Sequence, residues 1–482
     1  MGVARGAALW ATIGNWIQQG FSLITVLVIA RLLDPESFGL LAVALLFVLL
    51  FQRILLESIG YLIVQRSALS AEFLDSAFIA AVAVGAVLGT GLFVARDWVA
   101  HAFGYTALAP VLAAMALMPL FEGLGVVHSG LLRRESGFKA LAMRTFTANM
   151  LASGIGIVMA LNGFGVWSLV VQQLGQSLAG VVMLWRSHAW RPGRQATGDE
   201  MGKVLRFGGP MAANAVVFVV TNRIDVALLG AYAGAGATGI YSIAKRLSRA
   251  VTDLLASGIS TASLTSLSSA GDDEPKFRQV LDANLRLVAW ISYPAFAGLM
   301  LVSERLVPLM LGAQWNPTVP ALQVLCLFGV LQVPQLVTSN ALVAAGKTKT
   351  LTALNMVGLA CFLIVAFAMP QIDATSVAWA FVVQALITLL IQAVLLWKLL
   401  SMPLTLMGRA TVAPVLGSLL AGGAGWLLLT VPAVRAWPAA GVIGAQVGAF
   451  VLVYVLVSLL LNQKQLKQVS ARFIRKRKHG GN

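Results

Sequence analysis

The sequence predicts an all-α polytopic membrane protein with about 14 transmembrane helices, and three observations predict it. First, 59% of the 482 residues are hydrophobic and only 11% are charged, where a soluble domain carries about 25%. Second, the apolar residues form continuous runs about 20 residues long, the length a helix needs to cross a bilayer. β-Barrel strands are shorter and alternate apolar with polar residues. Third, Lys and Arg gather in alternate gaps between the runs, the sign of chains that weave through a membrane. A soluble enzyme could not keep this surface in water. A disordered chain needs low hydrophobicity and high charge. The charges are too sparse for a surface that tracks nucleic-acid phosphates.

In chain order the spans are expected at 9–31, 38–63, 74–95, 105–127, 142–161, 165–186, 208–230, 239–263, 283–303, 320–343, 351–369, 374–398, 410–430 and 438–461. The first is longer than the apolar core of a signal peptide and has no A-x-A site after it, so a membrane helix is expected there. The second follows the turn-forming Asp34-Pro35-Glu36-Ser37. The third contains Gly85 and Gly89 and the last Gly444 and Gly448, two G-x-x-x-G pairs expected to be close-packing faces. The eighth is the most polar, with Lys245, Arg246, Arg249 and Asp253. The twelfth is charge-free over Val377–Leu396. The longest gaps, about 187–207, 264–282 and 304–319, are too short to bury a core of their own. Function is therefore expected within the spans and at their mouths.

Sidedness follows from the basic residues. With both termini placed in the cytoplasm, cytoplasmic segments hold 25 Lys and Arg, the opposite side 4 and the spans 5. This bias sets the orientation and supports an even span count. It also accounts for the formal net charge of +16 as a feature of topology.

Catalytic and cofactor signatures do not emerge. Cys326 and Cys361 lie within apolar runs and read as small core residues. The four histidines are scattered. Ala345-Gly346-Lys347-Thr348 ends like a phosphate-binding loop, but Ala341 stands at the first glycine position and a membrane helix precedes it, so a tight turn is the better reading. Asp272-Asp273-Glu274 reads as a solvated acidic loop. No cofactor or metal is expected, and no enzyme.

Ionisable groups at a bilayer centre cost about 2.5–3.5 kcal/mol each on insertion scales, so they mark function or a partner. Nine lie well inside the spans: Arg53, Glu57, Glu122, Arg223, Asp225, Lys245, Arg246, Arg249 and Asp253. Arg53 and Glu57 are four apart and can pair on one helix face. Lys245, Arg249 and Asp253 follow at intervals of four, with Arg246 beside them, so they form a basic stripe. Arg223 and Asp225 point to different neighbours. Internal salt bridges are the competing reading, but one Asp253 cannot neutralise three bases. An inward-facing excess of positive charge implies a wet cavity or an anionic ligand, and the planar guanidinium suits a phosphate or diphosphate. That points to a secondary transporter of an anionic substrate. Asn15, Gln18 and Gln19 share a face of the first span; Asn214 and Asn222 lie about two turns apart on the seventh. Interhelical hydrogen bonding is their alternative role.

An internal repeat is expected at an offset of 200. Gly39 matches Gly239, Ala44 matches Ala244, Leu55 matches Leu255 and Ile59 matches Ile259. Six spans precede the seventh, so the offset covers one complete lobe. The expected organisation is an N-lobe at 1–190, a C-lobe at 207–398, two further spans within 410–461, and a basic cytoplasmic tail at 462–482.

Two motifs carry a family resemblance. Ala30-Arg31-Leu32-Leu33-Asp34-Pro35-Glu36-Ser37-Phe38-Gly39, followed by Ile59-Gly60 and Gln65-Arg66, resembles the opening of bacterial polysaccharide-transport flippases. Asn222-Arg223-Ile224-Asp225-Val226-Ala227-Leu228-Leu229-Gly230, with Thr238-Gly239-Ile240-Tyr241 and Ala244-Lys245-Arg246-Leu247, resembles them too. Their superfamily also contains multidrug and toxin extruders and the lipid II flippase. The resemblance covers roughly residues 1–460. It implies two pseudo-symmetric six-helix lobes around a central cavity, plus two C-terminal helices. The implied substrate is an undecaprenyl-diphosphate-linked oligosaccharide repeat unit, for exopolysaccharide, capsule or O-antigen synthesis. It implies diphosphate binding by Arg53, Arg223, Lys245, Arg246 and Arg249, and sugar contacts at Asn15, Gln18, Asn214 and Asn222. Coupling to H+ or Na+ is implied at Glu57, Glu122, Asp225 or Asp253. The bilayer of the cytoplasmic (inner) membrane, a glycan polymerase and export machinery are the implied partners, with no nucleic acid. The alternatives are a cation-coupled multidrug extruder, a membrane glycan polymerase or ligase, which the short external loops disfavour, and a non-transporting scaffold.

Overall fold

Five helix starts follow local turn chemistry. The Asp34 carboxylate accepts the Ser37 amide at 2.7 Å, just ahead of Pro35. Ser70 does the same for Phe73, Thr197 for Glu200, Asp273 for Lys276 and Asp373 for Ser376. Each satisfies an amide that the first helical turn leaves without an intrahelical partner. A computed structural model describes residues 19–55, 59–135, 137–271, 273–403 and 405–461. Among them there is no strand.

The principal helices are α1 (Gln19–Leu32), α2 (Pro35–Leu55), α3 (Ala71–Phe103), α4 (Leu108–Arg134), α5 (Phe138–Leu161), α6 (Val166–Ser187) and α7 (Gly198–Tyr232). They continue as α8 (Gly234–Ala270), α9 (Glu274–Leu311), α10 (Thr318–Ala344), α11 (Thr348–Ala368), α12 (Ala374–Leu400), α13 (Thr405–Leu427) and α14 (Ala439–Leu461). Among the described residues 12 helices are long and apolar enough to cross a membrane. The described part of α1 is shorter, and α8 carries the four charges anticipated in the eighth span. The expected fourteen is consistent with this pattern. The helix α4 breaks at Ala116–Leu117, just before Pro119, which has no N–H to offer the carbonyl of Met115 four residues earlier. Prolines within α7, α9, α10 and α13 stand inside continuous helices, as membrane helices tolerate.

The chain packs into two compact units. One comprises Met1–Ile243 with Gln371–Val377, the other Ala244–Pro370 with Ala378–Asn482. A core of the first unit joins Leu55, Ile59 and Ile63 to Phe73, Ala77 and Ala81 of α3, Val126, Val127 and Leu131 of α4, and Val204 of α7. Outward-facing Val87, Val94, Trp98 and Leu161 are more than half exposed, the surface that lipid covers. Polar bonds gather one end of this unit. Arg66 pairs with Glu200, which holds its guanidinium above the usual range through hydrogen bonding. Arg134 donates to the Ser67 carbonyl at 2.8 Å. Asp75 accepts the amides of Gly193 and Gln195. The starts of α3 and α7 and the ends of α4 and α6 therefore share one end, the alternation the basic loops predict.

Glycine permits two close crossings in this unit. A Cβ on Gly85 or Gly89 would overlap the carbonyl of Pro119 or Ala116, so α3 lies directly against α4. The Gly85/Gly89 pair is thus the close-packing face expected of it. The Gly444/Gly448 pair is not: nothing lies within 4 Å of a Cβ placed on either residue. The motif sits on an exposed face of α14 that no described helix covers, which corrects the expectation. The second crossing is reciprocal. A Cβ on Gly39 would overlap the Ala235 carbonyl, and one on Gly239 the Pro35 carbonyl. Both residues and both partners are separated by 200, the repeat offset.

The second unit is built from α9 packed on α10, α13 and α14. Buried polar bonds staple its helices. Thr338 of α10 donates to Gln392 of α12 at 2.6 Å, and Gln392 donates onward to Ser339 at 3.1 Å. Asn284 of α9 reaches Ser263 and Ser266 of α8. Such bonds replace those water would offer elsewhere.

Candidate functional site

Helices α2, α4, α5 and α6 of the first unit enclose a polar cavity of about 360 Å3. Glu122 projects into it from the middle of α4, because Pro119 and the break before it start a fresh helix there. It accepts a hydrogen bond from Gln52 Nε2 of α2 at 3.0 Å. Arg144, from the second turn of α5, acts electrostatically on Glu122. Arg133 closes the wall near the end of α4, and Gln173 and Gln176 of α6 face them. The Nε of Arg144 is buried with no hydrogen-bond acceptor among the described residues. A buried donor in that state costs stability. The wall bears two guanidiniums, one carboxylate and several amides. Away from bulk water these charges interact more strongly than they would on an exposed surface, and the balance favours an anion or a hydroxyl-rich molecule.

The sequence-predicted residues distribute as follows. Asn15, Gln18 and Glu57 lie outside the described residues, and the expected Arg53–Glu57 pairing falls with them. Glu122 stands in the cavity. Arg53, one residue from the cavity-lining Gln52, instead places its guanidinium 3.9 Å from the Phe218 ring centroid of α7, a cation–π contact. Asn222 donates to its own helix at the Phe218 carbonyl, and Asn214 is exposed. Arg223 is half-buried. Asp225 is fully buried and accepts from the Tyr241 hydroxyl at 2.8 Å, which ties α7 to the start of α8. In the second unit Lys245 lies over the Phe381 ring, while Arg246, Arg249 and Asp253 are exposed along α8. Arg249 acts electrostatically on Asp253.

Sequence reasoning missed Arg133, Arg144, Gln52, Gln173 and Gln176. The signal for Arg144 was present, since the expected span 142–161 contains it. Counting it among loop bases hid it. The glutamines gave no signal, because neutral amides are common where membrane helices meet.

Solved structures share this fold. The lipid II flippase MurJ in an inward closed conformation superposes with a TM-score of 0.76 over 95% of this chain and 100% of that one, at 16% identity. An inward-facing multidrug resistance MATE family transporter of the MOP superfamily gives 0.60 over 80% of this chain and 95% of that one, at 15% identity. Relatives in sequence are the lipopolysaccharide biosynthesis protein WzxC of Escherichia coli (strain K12), 26% identical over 67% of this chain and 66% of its own length, and the succinoglycan biosynthesis transport protein ExoT of Rhizobium meliloti (strain 1021), 26% identical over 66% of this chain and 64% of its own. The chain thus spans just under two thirds of these relatives. Residues 28–320 match the family described as polysaccharide biosynthesis protein, a stretch that includes α2 to α9 and every residue of the polar cavity, and the chain belongs to that family.

Proposed function

We propose that the protein flips polyprenyl-diphosphate-linked oligosaccharides across the cytoplasmic membrane by alternating access, with both termini in the cytoplasm. The observation that carries this reading is the cavity: two arginines, one glutamate and three glutamine amides, set among helices whose outer faces are apolar. Amides and serine hydroxyls match the hydroxyls of sugars. Guanidiniums match the oxygens of a diphosphate. The relatives' names, a lipopolysaccharide biosynthesis protein and a succinoglycan biosynthesis transport protein, fit the same substrate class.

In this reading Arg144, Arg133, Arg53 and Arg223 serve the diphosphate as the substrate moves, and Lys245, Arg246 and Arg249 add charge along α8. Asn15, Gln18, Asn214 and Asn222 contact sugars. The polyprenyl chain stays in lipid, so only the polar head crosses. Glu122 exchanges H+ or Na+ against the head group, with Glu57, Asp225 and Asp253 as further exchange sites. A ligand moves such an equilibrium only by binding one state more tightly than the other. A site holding both signs of charge does that when a bound anion competes with Glu122 for the field of Arg144.

The test is reconstitution. Proteoliposomes carrying the purified protein receive a fluorescent undecaprenyl-diphosphate oligosaccharide in the outer leaflet, and an impermeant quencher reports what remains there. A protected fraction that grows only with the diphosphate sugar is expected. Flipping of none of these lipids, together with efflux of a lipophilic dye cation under an ion gradient, would overturn the reading in favour of a drug extruder.

A further inference from the structure

The second unit holds another polar recess, at the start of α9 and α13. It measures about 280 Å3 and is lined by Arg278, Asp282, Arg286, Arg409, Pro403 and Thr405, among others. Arg278, Asp282 and Arg286 are spaced four apart and so share one face of α9. Asp282 accepts from Arg286 Nε at 2.8 Å, and no described carboxylate pairs with Arg278 or Arg409. Three guanidiniums thus meet one carboxylate. Thr405 begins the 23-residue helix α13, whose positive end adds to the field.

Apolar surface continues from the recess along α13. There Arg409 is followed at i+3 and i+7 by Val412 and Leu416, which are 55% and 49% exposed. A basic shelf with an apolar track beside it fits a ligand that joins a phosphate to acyl chains. A free anion would need no track, and an internal salt bridge would need more acid.

We infer that Arg278, Arg286 and Arg409 bind the phosphate of an anionic phospholipid in the leaflet at that end of the second unit, with an acyl chain on Val412 and Leu416 of α13. The site shares no residue with the Glu122 cavity, and the inference does not depend on the transported substrate.

Full-length protein in detergent is loaded with phosphatidylglycerol or phosphatidylcholine of equal chain length, and retained lipid is read by native mass spectrometry. Phosphatidylglycerol is expected to be retained in preference, and the Arg278→Gln/Arg409→Gln pair to weaken its retention about thirtyfold. The charge-matched pair Arg96→Gln/Arg305→Gln should leave it unchanged. Equal retention of both lipids, or a loss shared by the control pair, would overturn the inference. So would occupancy by inorganic phosphate alone, or by undecaprenyl diphosphate but not phosphatidylglycerol. Should the Arg278/Arg409 pair fail to fold, high salt on the unmodified protein decides: the preference must fall, and its persistence counts against the site.

Discussion

At the scale of single residues, Arg144 and Glu122 decide what the cavity can do. Arg144→Gln removes the guanidinium that acts electrostatically on buried Glu122. Transport is expected to fall more than tenfold, with membrane insertion unchanged; initial flipping rates in proteoliposomes and the folded yield after size exclusion check both halves. Arg144→Lys keeps the charge but loses the planar fork, so only partial recovery is expected. Glu122→Gln should remove the dependence of flipping on the ion gradient while substrate still binds. A rate that still follows the gradient would remove Glu122 from coupling. Legibility was uneven at this scale. Glu122 stood out because a carboxylate in an apolar run is costly. Arg144 lies near a helix end, where an arginine equally serves topology, and only the packing of α5 against α4 and α6 shows which way it faces.

At the scale of helices, glycine makes the sharpest predictions. Gly39→Ala and Gly239→Ala each drive a methyl group into a backbone carbonyl that cannot rotate away. Each is expected to cost about 2 kcal/mol through overpacking, read as a lowered unfolding midpoint in detergent. Gly91→Ala is the control: a Cβ there meets nothing within 4 Å, and alanine favours an exposed helix interior, so stability should hold or rise. Gly444→Ala should behave like the control. The two G-x-x-x-G pairs show what a motif leaves out. Gly85/Gly89 and Gly444/Gly448 read alike, yet which one is covered depends on whether another helix arrives there. The offset-200 repeat fared better, because Gly39 and Gly239 each need a glycine for the same steric reason. The span positions were legible because bilayer thickness imposes a length no tertiary contact overrides. The eighth was the faintest for a physical reason, since its four charges offset its apolar residues.

At the scale of the whole molecule, the composition divides into two messages. Most of the +16 charge reports orientation, since the basic loops recur at alternate helix ends. The ties from Arg66 to Glu200 and from Arg134 to Ser67 gather one set of those ends. Impermeant thiol labelling of single cysteines at Ser67 and Ser187 should therefore report the same side, the cytoplasm, with a cysteine at Asn162 on the opposite side. In the proposed reading, the few charges within the bundle serve the transported substrate. Where repeats meet in sequence and where units meet in packing are separate questions: α7 opens the second expected lobe yet packs against α2 within the first unit. If the protein moves lipid-linked oligosaccharides, a strain lacking it reveals this in the sidedness of its complete lipid-linked repeat units. They are expected to accumulate on the cytoplasmic face; unpolymerised units arriving normally on the outer face would overturn the transport reading.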